Sequence, residues 1–169
     1  MNDLVAKIFL KGNKVDIADI IFYLRDLRFK CQHCASLCCK LGGPPLSRRD
    51  INRIKRAGHD SVEYSESASF KRFKLPKVMQ SVMKNREDGS CIFLKNNREE
   101  GICECSIYDY RPALCRLYPF YLEMVGSCVL LKVIPCCKGL NDSDGELVDE
   151  RFVLRHLQKA IIDLLPEHP

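Results

Sequence analysis

No run of apolar residues in this chain is long enough to cross a bilayer. The longest near its end, Cys128 to Ile134, is interrupted by Lys132 and falls far short of the roughly 20 residues a spanning helix needs. The start, MNDLVAKIFLKGNK, carries Asp3 and Lys7 among its apolar residues. It lacks the basic opening, the long apolar core and the small-residue cleavage site of a secretory signal. A soluble, cytoplasmic protein without a membrane partner is therefore expected. No Gly-rich nucleotide loop follows a predicted strand, and no paired carboxylates stand beside a histidine. The CxxxCxxC spacing of radical cofactor enzymes is missing too. These gaps leave no signature on which to assign a catalytic residue. Internal repeats, low-complexity segments and recognised nucleic-acid motifs are likewise absent.

What remains is an ordinary globular composition: 46% apolar and 29% charged residues over a length of 169. That is enough to bury a hydrophobic core without a disulfide lattice. The net charge of +5 is mild and concentrates between Arg48 and Lys77. Aromatics interleave there, but a solvated helix face accounts for the charge better than nucleic acid does, and a nucleic-acid partner is not expected.

Against this background stand eleven cysteines, four of them within CQHCASLCC. In a reducing compartment, clustered thiols are more often metal ligands than disulfides. Thiolate is the ligand of zinc and of iron–sulfur iron. Cys31, Cys34, Cys38 and Cys39 lie within nine positions. The side chains of the adjacent pair Cys38 and Cys39 point different ways, so one of them joins Cys31 and Cys34 and further ligands come from elsewhere. Cys91, Cys103, Cys105 and Cys115 are the natural candidates. Cys103 and Cys105 share one face of a strand, and Cys115 falls in the first turns of a helix, where the dipole favours a thiolate. Cys136 and Cys137 form another tight pair, whereas Cys128 reads as a small buried hydrophobe. Only Cys31-x2-Cys34 has the zinc-finger form, so the spacing favours an iron–sulfur cluster over zinc.

The expected fold is a small α+β domain spanning 1–169, with short antiparallel strands and several helices around a cysteine-ligated metal site. Leu4 to Leu10 reads as a strand. Ile17, Ile20, Ile21, Leu24 and Leu27 at helical spacing predict a helix over Ile17–Leu27, capped by Asp16 and stapled by Val15. Ser47 and Asp50 form a capping-box signal for a second helix ending at Gly58 and burying Ile51 and Ile54. A third helix is expected from Pro76, with Val78, Met79, Val82 and Met83 facing the core. Cys91–Leu94 and Ile102–Ile107 read as strands joined by the polar turn 95–101. Arg111-Pro112 opens a helical turn through Leu117, and Phe120–Val125 with Cys128–Ile134 make a hairpin. Residues 149–165 form a C-terminal amphipathic helix.

Phe29-Lys30-Cys31-Gln32-His33-Cys34-Ala35-Ser36-Leu37-Cys38-Cys39, Leu46-Ser47 with Asp50, Cys91-Ile92-Phe93-Leu94, and Cys105 through Pro119 together resemble the YkgJ-type cysteine-cluster family. That family is described as a "putative zinc- or iron-chelating domain", and it is similar to the cysteine-rich part of flagellin lysine N-methylases. The resemblance covers 29–137 and implies a metal-binding core there. It marks Cys31, Cys34, Cys38, Cys39, Cys91, Cys105 and Cys115 as ligands, with Cys136 or Cys137 as its less regular last cysteine. One departure is that three residues, not two, separate Cys34 from Cys38. Arg111 and Arg116 are expected to offset thiolate charge. Three functions follow as expectations: a protein holding an iron–sulfur cluster or zinc, an enzyme related to protein lysine N-methylation, or a zinc-stabilised interaction module with a basic surface.

Overall fold

The computed structural model describes residues 3–11, 16–67, 78–97, 102–126 and 128–165. Along the chain these form β1 (Leu4–Lys11), β2 (Asp16–Phe22), β3 (Arg28–Phe29), α1 (Ser36–Lys40), β4 (Pro45–Ser47) and α2 (Arg48–Arg56). Next come α3 (Ser61–Tyr64), β5 (Ser65–Glu66), β6 (Met79–Met83), β7 (Leu94–Asn97), β8 (Ile102–Cys105) and α4 (Ala113–Leu117). β9 (Phe120–Val125), β10 (Cys128–Val133) and β11 (Glu146–Leu147) precede the C-terminal helix. That helix consists of α5 (Glu150–Phe152), a π-helical stretch over Val153–Leu157 and α6 (Gln158–Leu164). The α+β character is as expected. The contacts divide the described residues into two compact units, 3–32 with 117–162 and 33–116 with 163–165. No helix among the described residues is long and apolar enough to cross a membrane.

In the first unit β2, β1, β10 and β9 form one antiparallel sheet in that order. Val5, Ala6, Ile8, Val129 and Leu131 are fully buried; each of the larger aliphatics contributes about 1.5–3 kcal/mol by leaving water. The aromatic rings of Phe29, Phe120 and Phe152 meet edge to face at 5.6–6.1 Å, an arrangement that adds to simple burial. The hairpin of β9 and β10 pairs Phe120 with Val133 and Val125 with Cys128, as its sequence predicts. Cys128 is buried, as a small hydrophobe in that strand should be.

The expected helix over Ile17–Leu27 is instead the strand β2. Its register against β1 passes from Phe9↔Asp19 to Leu10↔Ile17, so Ala18 is an extra residue. Such a bulge puts Ile17 on the same side as Ile20 and Phe22, all three half-buried. One inserted residue thus turns a two-residue period into the three-residue spacing of a helix. Asp16 pairs with Lys11 in the ladder rather than capping, and Val15 lies outside the described residues.

The second unit contains a three-stranded antiparallel sheet, β4-β6-β5, and the hairpin β7-β8. The helix expected from Pro76 is the strand β6; Pro76 itself lies outside the described residues. Met79 and Met83, spaced i, i+4 as on a helix face, are both buried, and Gln80 between them is an extra residue in the register against β4. Cys91 is a single bridge residue paired with Asn85, and the strand predicted over Cys91–Leu94 begins only at its last residue. α2 forms as its signal predicts: the Ser47 side chain accepts from Asp50 N, and Asp50 accepts from Ser47 N. Ile54 is fully buried and Ile51 half-buried. The core joins Leu46, Ile54, Tyr64, Met83, Phe93, Leu94 and Ile107 to Cys39 and Cys91, with Cys38, Cys103 and Cys105 packed against it.

Candidate metal centre

The short helix α1 carries Cys38 and Cys39. It starts after Ala35, which is left-handed (φ 45°) and buried. The Cys39 carbonyl accepts from Cys91 N at 2.8 Å and from Gly42 N at 3.3 Å, which ties the site of Cys91 to the helix. On β8, Cys105 pairs with Leu94. Leu94 N in turn bonds the Cys91 carbonyl at 3.0 Å. Backbone bonds alone therefore connect three segments that are far apart in sequence.

Cys38, Cys39 and Cys105 form one hydrogen-bonded thiol group. The Cys39 thiol stays protonated, because its bonds to Cys105 and Cys38 favour the donor form. That donation holds Cys38 at about 7, against an ordinary thiol value of 9.0, with the positive charge of Arg111 adding to the effect. Cys105 is held at about 7 by the same donor, by the backbone at Ile107 and by Arg111. Burial pushes the Cys91 thiol up, and its Sγ donates to Met83 Sδ at 3.3 Å. Burial also pushes Cys115 up, with Cys91, Cys105 and Cys38 close enough to add repulsion. Five of the expected ligands thus share one neighbourhood as free thiols.

Arg111 is aimed by an aromatic stack. Its guanidinium lies 3.9 Å from the centroid of the Tyr108 ring, within cation–π range. On Tyr108 also stacks the ring of His33, at 4.2 Å. Tyr108 therefore joins the loop at His33 to the cation that faces two thiols. Arg116 does not share that role. It pairs with Asp163, as do Arg53 at 2.9 Å and Arg49 at 3.7 Å. Arg49 and Arg53, from the basic stretch expected to be a solvated face, are thus engaged in an internal ion-pair network.

The other expected ligands are placed differently. Cys34 is exposed in its loop and is not brought into the group of five. Cys31 is half-buried and Cys136 exposed, both in the first unit. There the Lys30 N to Gly139 O bond of 2.9 Å sets the chain next to Cys31 beside the segment following Cys136 and Cys137. Gly139 is required at that point, since a Cβ would stand 2.2 Å from the Lys30 carbonyl oxygen. The contact of Met83, expected only in the core, with the Cys91 thiol and the place of Asp163 among three arginines come from long-range packing.

Among the described residues, no group of three or more Cys, His, Asp or Glu side chains is arranged to hold a metal ion. The donor chemistry nevertheless fits a soft metal: the partners of these thiols are one another, Arg111, Arg86, Met83 and backbone groups. The chain is 27% identical over 136 residues to the "Uncharacterized protein MJ0661" of Methanocaldococcus jannaschii, covering 77% of this chain and 68% of that protein. No solved structure matches it. The family CxxCxxCC, described as "Putative zinc- or iron-chelating domain", matches residues 30–132. That match includes every thiol of the group of five together with Arg111, and the chain belongs to this family.

Proposed function

We propose that the second unit holds a metal through thiolates, as an iron–sulfur cluster in preference to a zinc ion. The site comprises Cys38, Cys39, Cys91, Cys105 and Cys115. The observation that carries this reading is the hydrogen-bonded group of Cys38, Cys39 and Cys105, in which the Cys39 thiol, and after it Arg111, lowers the other two toward pH 7. Metal binding requires thiolate, and these two thiols lose their protons at a lower pH than ordinary ones. Small rotations about χ1 would exchange S–H···S contacts for metal–sulfur bonds without moving the backbone.

The spacing supports the cluster, since only Cys31-x2-Cys34 has the zinc-finger form. A bound cluster would supply one-electron chemistry, whereas zinc would supply only a cross-link. Around it, Arg111 would offset negative charge, Cys39 would have to give up its proton to serve as a ligand, and the apolar core of Leu46, Met83 and Phe93 would limit water at the sulfurs. A chain this rich in reactive thiols belongs in a reducing, cytoplasmic setting.

Anaerobic purification with metal analysis and a visible spectrum tests the proposal. Brown protein with iron and sulfide is the expected result. Colourless protein with stoichiometric zinc would remove the cluster but keep the thiolate site. Protein that takes up neither metal would remove both.

A further inference from the structure

Asp50 does more than a capping residue needs to do. In an ordinary capping box the side chain at the third helical position bonds back to the cap and stays at the surface. Here Oδ2 of Asp50 meets that requirement, accepting from Ser47 N at 3.0 Å and from Ser47 Oγ at 2.8 Å. Yet the carboxylate is fully buried. Burying a charge is costly unless it is paired and fully hydrogen-bonded. The remaining oxygen, Oδ1, shows what the burial achieves: it accepts from Ala113 N at 2.8 Å and from Arg53.

Ala113 is the first residue of α4. The first N–H groups of a helix have no partner within it, and Ala113 is itself fully buried, out of reach of water. Asp50 therefore supplies an acceptor for the first N–H of this helix, 63 residues away in the chain. Arg111 lies two residues before Ala113 and Cys115 two residues after it. One buried carboxylate thus sets the place of both the cation that faces Cys38 and Cys105 and the fifth thiol of the group. Arg53 balances its charge and is itself held by Asp163 and by the Tyr110 carbonyl.

We infer that Asp50 is the positioning residue of the thiol centre, acting through Ala113 N to hold Cys115 and Arg111 in register with Cys38, Cys39 and Cys105. This rests on the proposed metal site, and its test reads both with and without metal. The variants are Asp50→Ala and the shape-preserving Asp50→Asn, whose single acceptor oxygen cannot serve Ser47 and Ala113 together. Ser47→Ala is the control, since it weakens the same cap but leaves the bond to Ala113. In metal-free, reduced protein, each cysteine is alkylated and its rate read by peptide mass spectrometry.

Both Asp50 variants should label Cys115 about tenfold faster than wild type, by local opening of α4, with buried Cys128 unchanged as the internal reference. Ser47→Ala should leave Cys115 at its wild-type rate. An unchanged Cys115 rate in Asp50→Ala would overturn the inference, as would equal acceleration in Ser47→Ala or a parallel rise at Cys128. With cobalt(II) added as a metal probe, Asp50→Asn should shift the thiolate charge-transfer bands while Ser47→Ala keeps them, and identical bands in all three proteins would also overturn it. If wild type takes up no cobalt, zinc or iron, the metal reading fails and the labelling rates still decide the role of Asp50.

Discussion

Replacing Cys39 by alanine removes the thiol whose single S–H is shared between Cys38 and Cys105. The structure makes that donation the largest cause of their low values, ahead of Arg111. Without it, both should move from about 7 back toward the ordinary 9.0. At pH 7 the thiolate fraction then falls from about one half to about 1%, roughly a fiftyfold loss of the reactive form. A more basic thiolate is a better nucleophile, and a Brønsted slope near 0.4–0.5 returns roughly a factor of 6–10 over two units. The net expectation is roughly a fivefold to eightfold slower alkylation at pH 7. The more direct sign is the pH profile, whose midpoint should rise from about 7 toward 9. Iodoacetamide labelling of metal-free, reduced wild type and Cys39→Ala between pH 5.5 and 9.5, resolved by peptide mass spectrometry, measures it. Midpoints that stay near 7 at both Cys38 and Cys105 would refute the assignment of Cys39 as the shared donor.

Three further outcomes follow from the same geometry. Below pH 7 protons compete with metal for Cys38 and Cys105, so the apparent affinity should fall by about tenfold per thiol per pH unit; a competition titration against a chromophoric chelator checks this. Above pH 7 these two thiols add little further dependence, while the raised values of Cys91 and Cys115 keep a shallower one. Asp163→Ala leaves the largely buried Arg116 without its carboxylate partner and Arg53 with Asp50 alone, and should cost about 3 kcal/mol in urea unfolding, as for other broken buried pairs. Gly43→Ala puts a Cβ 2.6 Å from that of Met83 and should cost about 1–3 kcal/mol by overpacking. Gly58→Ala meets open space but needs a positive φ, so about 1–2 kcal/mol from strain is expected; thermal unfolding compares the two.

Local signals in the sequence were reliable where the structure is local. The Ser47–Asp50 box, the hairpin turning at Gly126 and the C-terminal apolar stripe each depend on residues within a few positions, and each formed as read. The readings that failed did so at irregular strands. A bulge at Ala18 gave β2 a helical spacing. In β6, Met79 and Met83 stand at the i, i+4 spacing of a helix, and the register again skips a residue, Gln80, opposite Leu46 and Ser47 of the partner strand. Bulges belong to pairs of strands, so one strand's sequence does not display them.

The same division applies to the thiol centre. The sequence by itself determined the donor type, because four cysteines in nine positions and the Cys105 to Cys115 segment have few chemical uses other than binding a soft metal. Only the tertiary structure decided the grouping. It drew Cys38, Cys39, Cys91, Cys105 and Cys115 together, left Cys34 exposed in its loop, and gave Arg111, Tyr108 and Asp50 their parts. The reason is one of range: a residue type states what an atom can bind, while its neighbours come from hydrogen bonds and packing between segments as far apart as Asp50 and Ala113.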